Sequence, residues 1–378
     1  MVEASGASVS PRVVRNPHLR RDLAAPEPDP AVRAFHESLP GYAPSPLVPA
    51  STVAERLGVA EVWVKDESTR LGMPAFKIMG ASWATYRVLC ERLELDPAAV
   101  GGLEGLRAAL AAAGATITLV AATDGNHGRA VARMASLLGL PAHILVPHHM
   151  VPARIEALRS EGAHVTVVPG PYDEAVATSA QLAGPAHVVV SDTSWEGYTD
   201  VPGWVIDGYS TIALEAREQL AAVGAGLPTL VPAQIGVGAL AAALVRGFPE
   251  ARIVGVEPVT ASCVQASVEA GEPVTTGGEA ETVMAGLNCG TPSPLAWPTM
   301  RDGIAVLATV TEADAEEAMR ALAEAGIESG GSGAAGLAGL LAHAEPVGLR
   351  PDDRVLVVST EGATDPASYA RIVGNSSR

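Results

Sequence analysis

Short runs of aliphatic and β-branched residues alternate with helix-like segments along nearly the whole chain, and this alternation restricts the fold more than any other feature. EVWVKD (61–66), TITLVAAT (116–123), AHILVP (142–147), HVTVVPG, HVVVSD (187–192), TLVPAQI, RIVGVEP and RVLVVST read as strands. Their apolar residues fall on both parities, as strands covered on both faces require. Between them, GRAVARMASLLG (128–139), PARIEALRSEG (152–162, with Pro near its start), DEAVATSAQLAG, GALAAALVRGF and EADAEEAMRALAEAG read as helices, and another begins at about Ala75. Strand–helix alternation predicts an α/β architecture with mainly parallel sheets, because a parallel neighbour is reached only by a crossover. Ligands in such folds bind beyond the C-terminal ends of strands. The chemistry is therefore sought in the loops ATDGNHG, SDTSWEGY, QIGVGAL and STEGATDP, each of which follows a strand. The first 30 residues or so, rich in Pro, Arg and Asp, are expected to form an arm or a surface coil.

With 378 residues, 48% of them hydrophobic, the chain can build a sizeable core in two domains or one large one. Its formal net charge of −17 and lack of a long basic run argue against nucleic acid and anionic membrane surfaces as partners. Cys90, Cys263 and Cys289 show no CxxC spacing, so neither a disulfide scaffold nor a metal-ligand set is expected, and each reads as a small buried hydrophobe. The N-terminus has no apolar h-region and no stretch reads as a membrane span, which predicts a soluble cytoplasmic protein.

Lys77 is the odd residue of the chain. It lies in the uncharged run from Leu71 to Trp83, with Phe76, Ile78 and Met79 beside it. Two roles fit: a snorkelling side chain with its head in water, or a desolvated, reactive amine that forms a Schiff base. An apolar setting is expected to lower its pKa. In TDGNHG (123–128), Gly125 and Gly128 permit close backbone approach and the following helix offers unpaired N–H groups to an anion. Asp124 is unusual in such a loop, although as a helix cap it would be ordinary. His127 alone reads more readily as a hydrogen-bonded structural histidine. In QIGVGALAAALV (234–245), Gly236 and Gly238 could fold the turn around a phosphate, or serve only a tight βα turn. No GK[ST] follows and the third glycine of a dinucleotide fingerprint is missing. SDTSWEGYTD (191–200) places Asp192 at a strand end with Trp195, Glu196 and Tyr198 close behind, and ESGGSGAAG (328–336) opens another helix.

Taken together with the lysine, these loops occur in a recognisable order: GYAPSPLVP, KDE…AFK, the GNHG loop, the Gly-rich turn and STEG. Over roughly residues 40 to 370 the chain resembles the pyridoxal-phosphate enzymes of the tryptophan synthase β-like family, fold type II. Within that family KDES…AFKIMGA, ATDGNHGRAVA, SDTSWEGY, MAGLNCGTPSPLAW and STEGATDP resemble the diaminopropionate ammonia-lyase branch. The resemblance implies two parallel-sheet domains with the cofactor, pyridoxal 5′-phosphate, in the cleft between them. On that basis residues 1–40 are an arm, 41–80 plus 191–378 the large domain and 81–190 a small mobile domain. It also implies a homodimer. Lys77 would be the Schiff-base lysine, and Asn126 would hydrogen-bond the cofactor's ring oxygen. Gly236, Val237, Gly238 and Ala239 would hold the phosphate, and Ser359 or Thr360 would face the pyridine nitrogen.

The implied reaction is α,β-elimination of 2,3-diaminopropionate to pyruvate and ammonia. Two carboxylates, Asp124 and Asp192, suit a substrate with an extra ammonium, since that group leaves poorly unless protonated. Thr123, Asp124 and Asp192 are the expected substrate contacts. Lys77 is expected to take the α-proton of the L-isomer, Asp124 that of the D-isomer, and Asp192 to orient the β-ammonium. The alternatives are a serine or threonine dehydratase, another replacement enzyme of this fold, or a catalytically silent ligand-binding relative.

Overall fold

The computed structural model describes residues 10–20, 28–123, 125–276 and 282–374. Among these, eleven strands form two sheets. They are β1 Val13–Arg15, β2 Leu47–Pro49, β3 Glu61–Asp66, β4 Thr118–Ala122, β5 Ala142–Pro147, β6 His164–Val168, β7 His187–Val189, β8 Leu230–Gln234, β9 Arg252–Pro258, β10 Ile304–Val310 and β11 Arg354–Ser359. The larger sheet runs β1-β10-β9-β8-β11-β3-β2 and the smaller β6-β5-β4-β7. All pairings are parallel except at the two edges of the large sheet, where β1 pairs antiparallel with β10 and β2 with β3. This is the α/β architecture that the alternation predicts.

The N-terminal stretch departs from the expectation of coil. Val13–Arg15 adds an edge strand to β10, and Asn16 is buried with its amide donating to the carbonyls of Arg301 and Ile304. Val13, Val14 and Arg15 become a strand because β10 leaves its outer edge open for pairing, a condition that exists only after the chain has folded back over some 290 residues. Elsewhere local chemistry and fold agree. The helix Glu312–Glu324 begins with a capping box, in which Thr311 and Asp314 satisfy each other's backbone N–H groups.

Two contacts position the lysine. First, the helix Lys77–Arg92 packs against the long helix Asp200–Ala222 at glycines. A Cβ on Gly208 would lie 2.5 Å from the Met79 carbonyl oxygen, and one on Gly80 would lie 2.6 Å from the Tyr209 ring. Only hydrogen fits between these backbones. Second, a fully buried cluster joins β3 and the turn after it to the same long helix. Lys65 donates to Glu215 at 2.7 Å, and Arg70 reaches both Glu67 and Glu215 at 2.7 Å. Ser45 and Tyr42 complete its hydrogen bonds. Two cations meet two anions, so the cluster is neutral. Breaking one member of such a buried set costs about 3–5 kcal/mol, because the remainder is left as uncompensated charge. The three cysteines are buried and none forms a disulfide among the described residues, and no helix among the described residues is long and apolar enough to cross a membrane.

Candidate active site

The C-terminal ends of β4 and β7 from the small sheet and of β8 and β11 from the large one open onto one cavity. Lys77, Thr123, Asn126, Asp192, Gly236 to Ala239 and Thr360 all line it. Residues from five separate loops thus converge. Asp124 lies outside the described residues. Ser359 does not line the cavity: its hydroxyl donates to Ser329 at 2.8 Å, on the far side of the strand end, while Thr360 faces inward and accepts from Gln234 at 3.0 Å.

Lys77 opens its helix and its Nζ donates to Asp192 Oδ2 at 2.5 Å. The expectation of a lowered lysine pKa is overturned here. Burial does push the ammonium toward the neutral amine, but Asp192 outweighs it, and the pKa stands above the ordinary lysine value. Burial likewise opposes ionisation of Asp192, and the neighbouring His127 and Lys77 overcome it, so the carboxyl is held well below the usual carboxylate range. The apolar neighbours seen in the sequence are real, since Phe76, Ile78 and Met79 are buried. What the local sequence could not supply was a counter-charge 115 residues away.

Asp192 is presented by a fixed strand end. The Tyr198 hydroxyl donates to the Val189 carbonyl and accepts from the Ser191 N–H, and its ring stacks on Trp195 at 4.0 Å. The aromatic residues of SDTSWEGY are therefore a fastening for the aspartate. Thr123 is similarly occupied, its hydroxyl oxygen accepting from the N–H groups of Gly125 and Gly128. His127 is buried. Its Nε2 lies 2.9 Å from the Val190 carbonyl, and its Nδ1 is 3.8 Å from Asp192 Oδ2 with no hydrogen-bond partner. Burial, with the Lys77 charge, lowers its pKa against the pull of Asp192.

Glu361 is a wall residue that the sequence reading quoted in STEG but did not single out. Its carboxylate accepts from the Asn126 amide at 2.6 Å and from the Ser332 N–H at 3.2 Å. It thus bridges the GNHG loop to the start of the helix Gly331–Ala342. A carboxylate directly after a strand end was the available signal. Tyr209 lies behind the site, packed against Phe76. Its hydroxyl is buried without a partner, and it acts electrostatically on Lys77.

The residues present fit a phosphorylated ring aldehyde. Gly238 has φ +107°, and a Cβ there would strike Met300 at 2.4 Å. A Cβ on Gly236 would lie 2.9 Å from the Gly286 carbonyl. The turn is therefore closed to side chains but open to backbone N–H groups. The helix Ala239–Gly247 that follows has no side-chain cap, which leaves its N-terminal donors for an anion.

Comparison with known proteins agrees with this arrangement. The sequence pattern of the family described as pyridoxal-phosphate dependent enzyme matches residues 39–361. The diaminopropionate ammonia-lyase of Escherichia coli (strain K12) is 38% identical over 362 residues, covering 90% of each chain. That of Salmonella typhimurium (strain LT2) is 36% identical, covering 91% of each. The crystal structure of holo diaminopropionate ammonia lyase from Escherichia coli superposes with a TM-score of 0.90 at 35% identity, covering 97% of each chain.

Proposed function

The chain belongs to the pyridoxal-phosphate dependent enzyme family, and we propose that it catalyses α,β-elimination of 2,3-diaminopropionate, giving pyruvate and two ammonia. The observation that carries this reading is the carboxylate of Asp192, buried and 2.5 Å from the lysine amine. A substrate beside that lysine meets a fixed anion next to its reacting carbons. Such a site favours a side chain with an ammonium over one with a neutral hydroxyl.

Pyridoxal phosphate, when bound, supplies an electron sink for the carbanion left by loss of the α-proton. The turn from Gly236 to Ala239 would hold its phosphate, Asn126 its ring oxygen and Thr360 its ring nitrogen. Lys77 removes the α-proton of the L-isomer, and Asp192 binds and orients the β-ammonium. For the D-isomer, Asp124 takes the proton from the opposite face. Thr123 shapes the loop that carries Asp124. The small domain, 81–190, a reading that the separate four-stranded sheet supports, closes on the substrate and excludes water. A cytoplasmic homodimer completes the reading.

Product stoichiometry tests it. Two ammonia per pyruvate from diaminopropionate, with little turnover of serine or threonine, is the expected result. Dominant turnover of serine or threonine would remove the role given to Asp192 and leave the fold and Lys77 standing. Asp124→Asn should lower the rate on the D-isomer more than on the L-isomer; equal losses would end the two-base scheme.

A further inference from the structure

Gln234 is the last residue of β8, just before the glycine turn, and it is buried with its side chain at the wall of the cavity. Its Nε2 lies 2.9 Å from the Val358 carbonyl, 3.0 Å from Thr360 Oγ1 and 3.3 Å from the Gly333 carbonyl. Carbonyl oxygens can only accept, so the NH2 end of the amide has to face them; a flipped amide would set one oxygen against two others. Val358 and Thr360, the nearer partners, take its two hydrogens. The amide oxygen Oε1 is buried and has no hydrogen-bond partner, an arrangement that folded chains seldom keep. A Cβ on Gly336 would lie 2.9 Å from that oxygen, so the glycine leaves the amide its room.

The Gln234 donor fixes the polarity of Thr360. A hydroxyl oxygen that receives an N–H cannot point its own hydrogen along the same line. The threonine is buried at the cavity wall, and its backbone is tied to the lysine's helix, since its carbonyl accepts from the Phe76 N–H at 3.0 Å. Among the described residues, the hydroxyl accepts from Gln234 and donates to none. Its hydrogen is therefore left for whatever occupies the cavity. Ser359 is used differently, because its hydroxyl donates to Ser329.

We propose that Gln234 is a positioning residue: its amide holds the Thr360 hydroxyl as a donor into the cavity, so that the site takes the cofactor's ring nitrogen as a bare acceptor and rejects its protonated form. This deepens the reading that places Thr360 at the ring nitrogen, and it rests on that reading. A protonated ring would bring an N–H to an oxygen whose own hydrogen points back at it. Two donors would then face each other in a buried site, at the cost of an unmade hydrogen bond. The unprotonated ring offers the lone pair that the hydroxyl needs. Without the amide the hydroxyl is free to turn, and the discrimination is lost.

The test uses the holoenzyme reconstituted with pyridoxal phosphate carrying 15N in its ring. The NMR shift of that nitrogen separates free pyridine, hydrogen-bonded pyridine and pyridinium, and it needs no turnover. The wild type should show a hydrogen-bonded, unprotonated nitrogen. Thr360→Val should move it to the free-pyridine position. Gln234→Met, which fills similar space without a donor, should move it off the wild-type position, toward free pyridine or pyridinium. It should also weaken pyridoxal phosphate binding about three- to tenfold, the scale of one neutral hydrogen bond. Joining the two substitutions should add nothing to Thr360→Val, because Gln234 acts on the ring only through that hydroxyl. If Gln234→Met does not fold, Gly336→Ala stands in for it: it crowds Oε1, keeps the N–H groups, and should move the resonance the same way. A wild-type resonance in Gln234→Met, or in its stand-in, beside a shifted Thr360→Val overturns the proposal and leaves Thr360 at the ring nitrogen. A wild-type resonance in Thr360→Val removes the threonine from the ring and overturns both.

Discussion

Acidification should loosen the fold through His36, by an amount that the structure sets. The ring is fully buried beneath the helix that carries Lys77, with Nε2 at 2.9 Å from the Met79 carbonyl and Nδ1 at 2.8 Å from the Thr211 hydroxyl. Burial, reinforced by the Arg70 charge, lowers its pKa from 6.5 to about 4. Between those values the unfolded chain binds a proton that the folded chain refuses, so stability rises with pH there and is lost on acidification. At about 1.4 kcal/mol per unit, the full loss is about 3 kcal/mol, of which about 2 kcal/mol falls between pH 7 and pH 5.

Glu257 more than masks this over the same pH range. Burial raises its pKa from 4.5 to about 8 against the N–H bonds of Val264 and Gln265. The folded state therefore binds the extra proton, and its contribution runs the other way, strengthening the fold as pH falls through about 8. The diagnostic quantity is the difference between the wild type and His36→Gln, in which Glu257 cancels. Urea unfolding at pH 7 and pH 5 measures it. The wild type should lose about 2 kcal/mol more than the variant on acidification. Parallel curves for the two proteins would show that His36 does not stay neutral when folded, and the reasoning from burial would fail.

Other perturbations read other parts of the structure. Gly208→Ala places a methyl 2.5 Å from the Met79 carbonyl oxygen and should cost about 1–3 kcal/mol, since two backbones must separate; unchanged urea stability would show that the helix contact is looser than described. Glu215→Gln strips Lys65 and Arg70 of their shared anion and should cost about 3–5 kcal/mol, measured in the same way, whereas a loss below about 1 kcal/mol would mean that water replaces it. Gly238→Ala forces a side chain into φ +107° and against Met300, so affinity for pyridoxal phosphate, followed by visible absorbance, should fall at least tenfold with the fold retained by circular dichroism.

The alternation of apolar runs and helical segments determined the fold class and several strands to the residue, among them Glu61–Asp66, Ala142–Pro147 and Arg252–Pro258. Ala142–Pro147 and Arg252–Pro258 are buried on both faces between parallel neighbours, so burial is written into the local sequence. The edge strands Val13–Arg15 and Leu47–Pro49 were not legible, because their pairing depends on which edge of the sheet happens to be open. The same division holds at the site. Lys77, Asn126, Asp192 and the turn from Gly236 to Ala239 were recognisable because each sits directly after a strand or opens a helix, and all of them line one cavity. Which of Ser359 and Thr360 faces inward was fixed by the hydroxyl of Ser329. The charge on Lys77, the carboxylate of Glu361 across from Asn126 and the unpaired nitrogen of His127 were decided only by tertiary contact. A residue's type and its local backbone follow from nearest neighbours along the chain. Its charge follows from a field that falls off within a few ångströms, and the sources of that field are brought near only by the packing of distant segments.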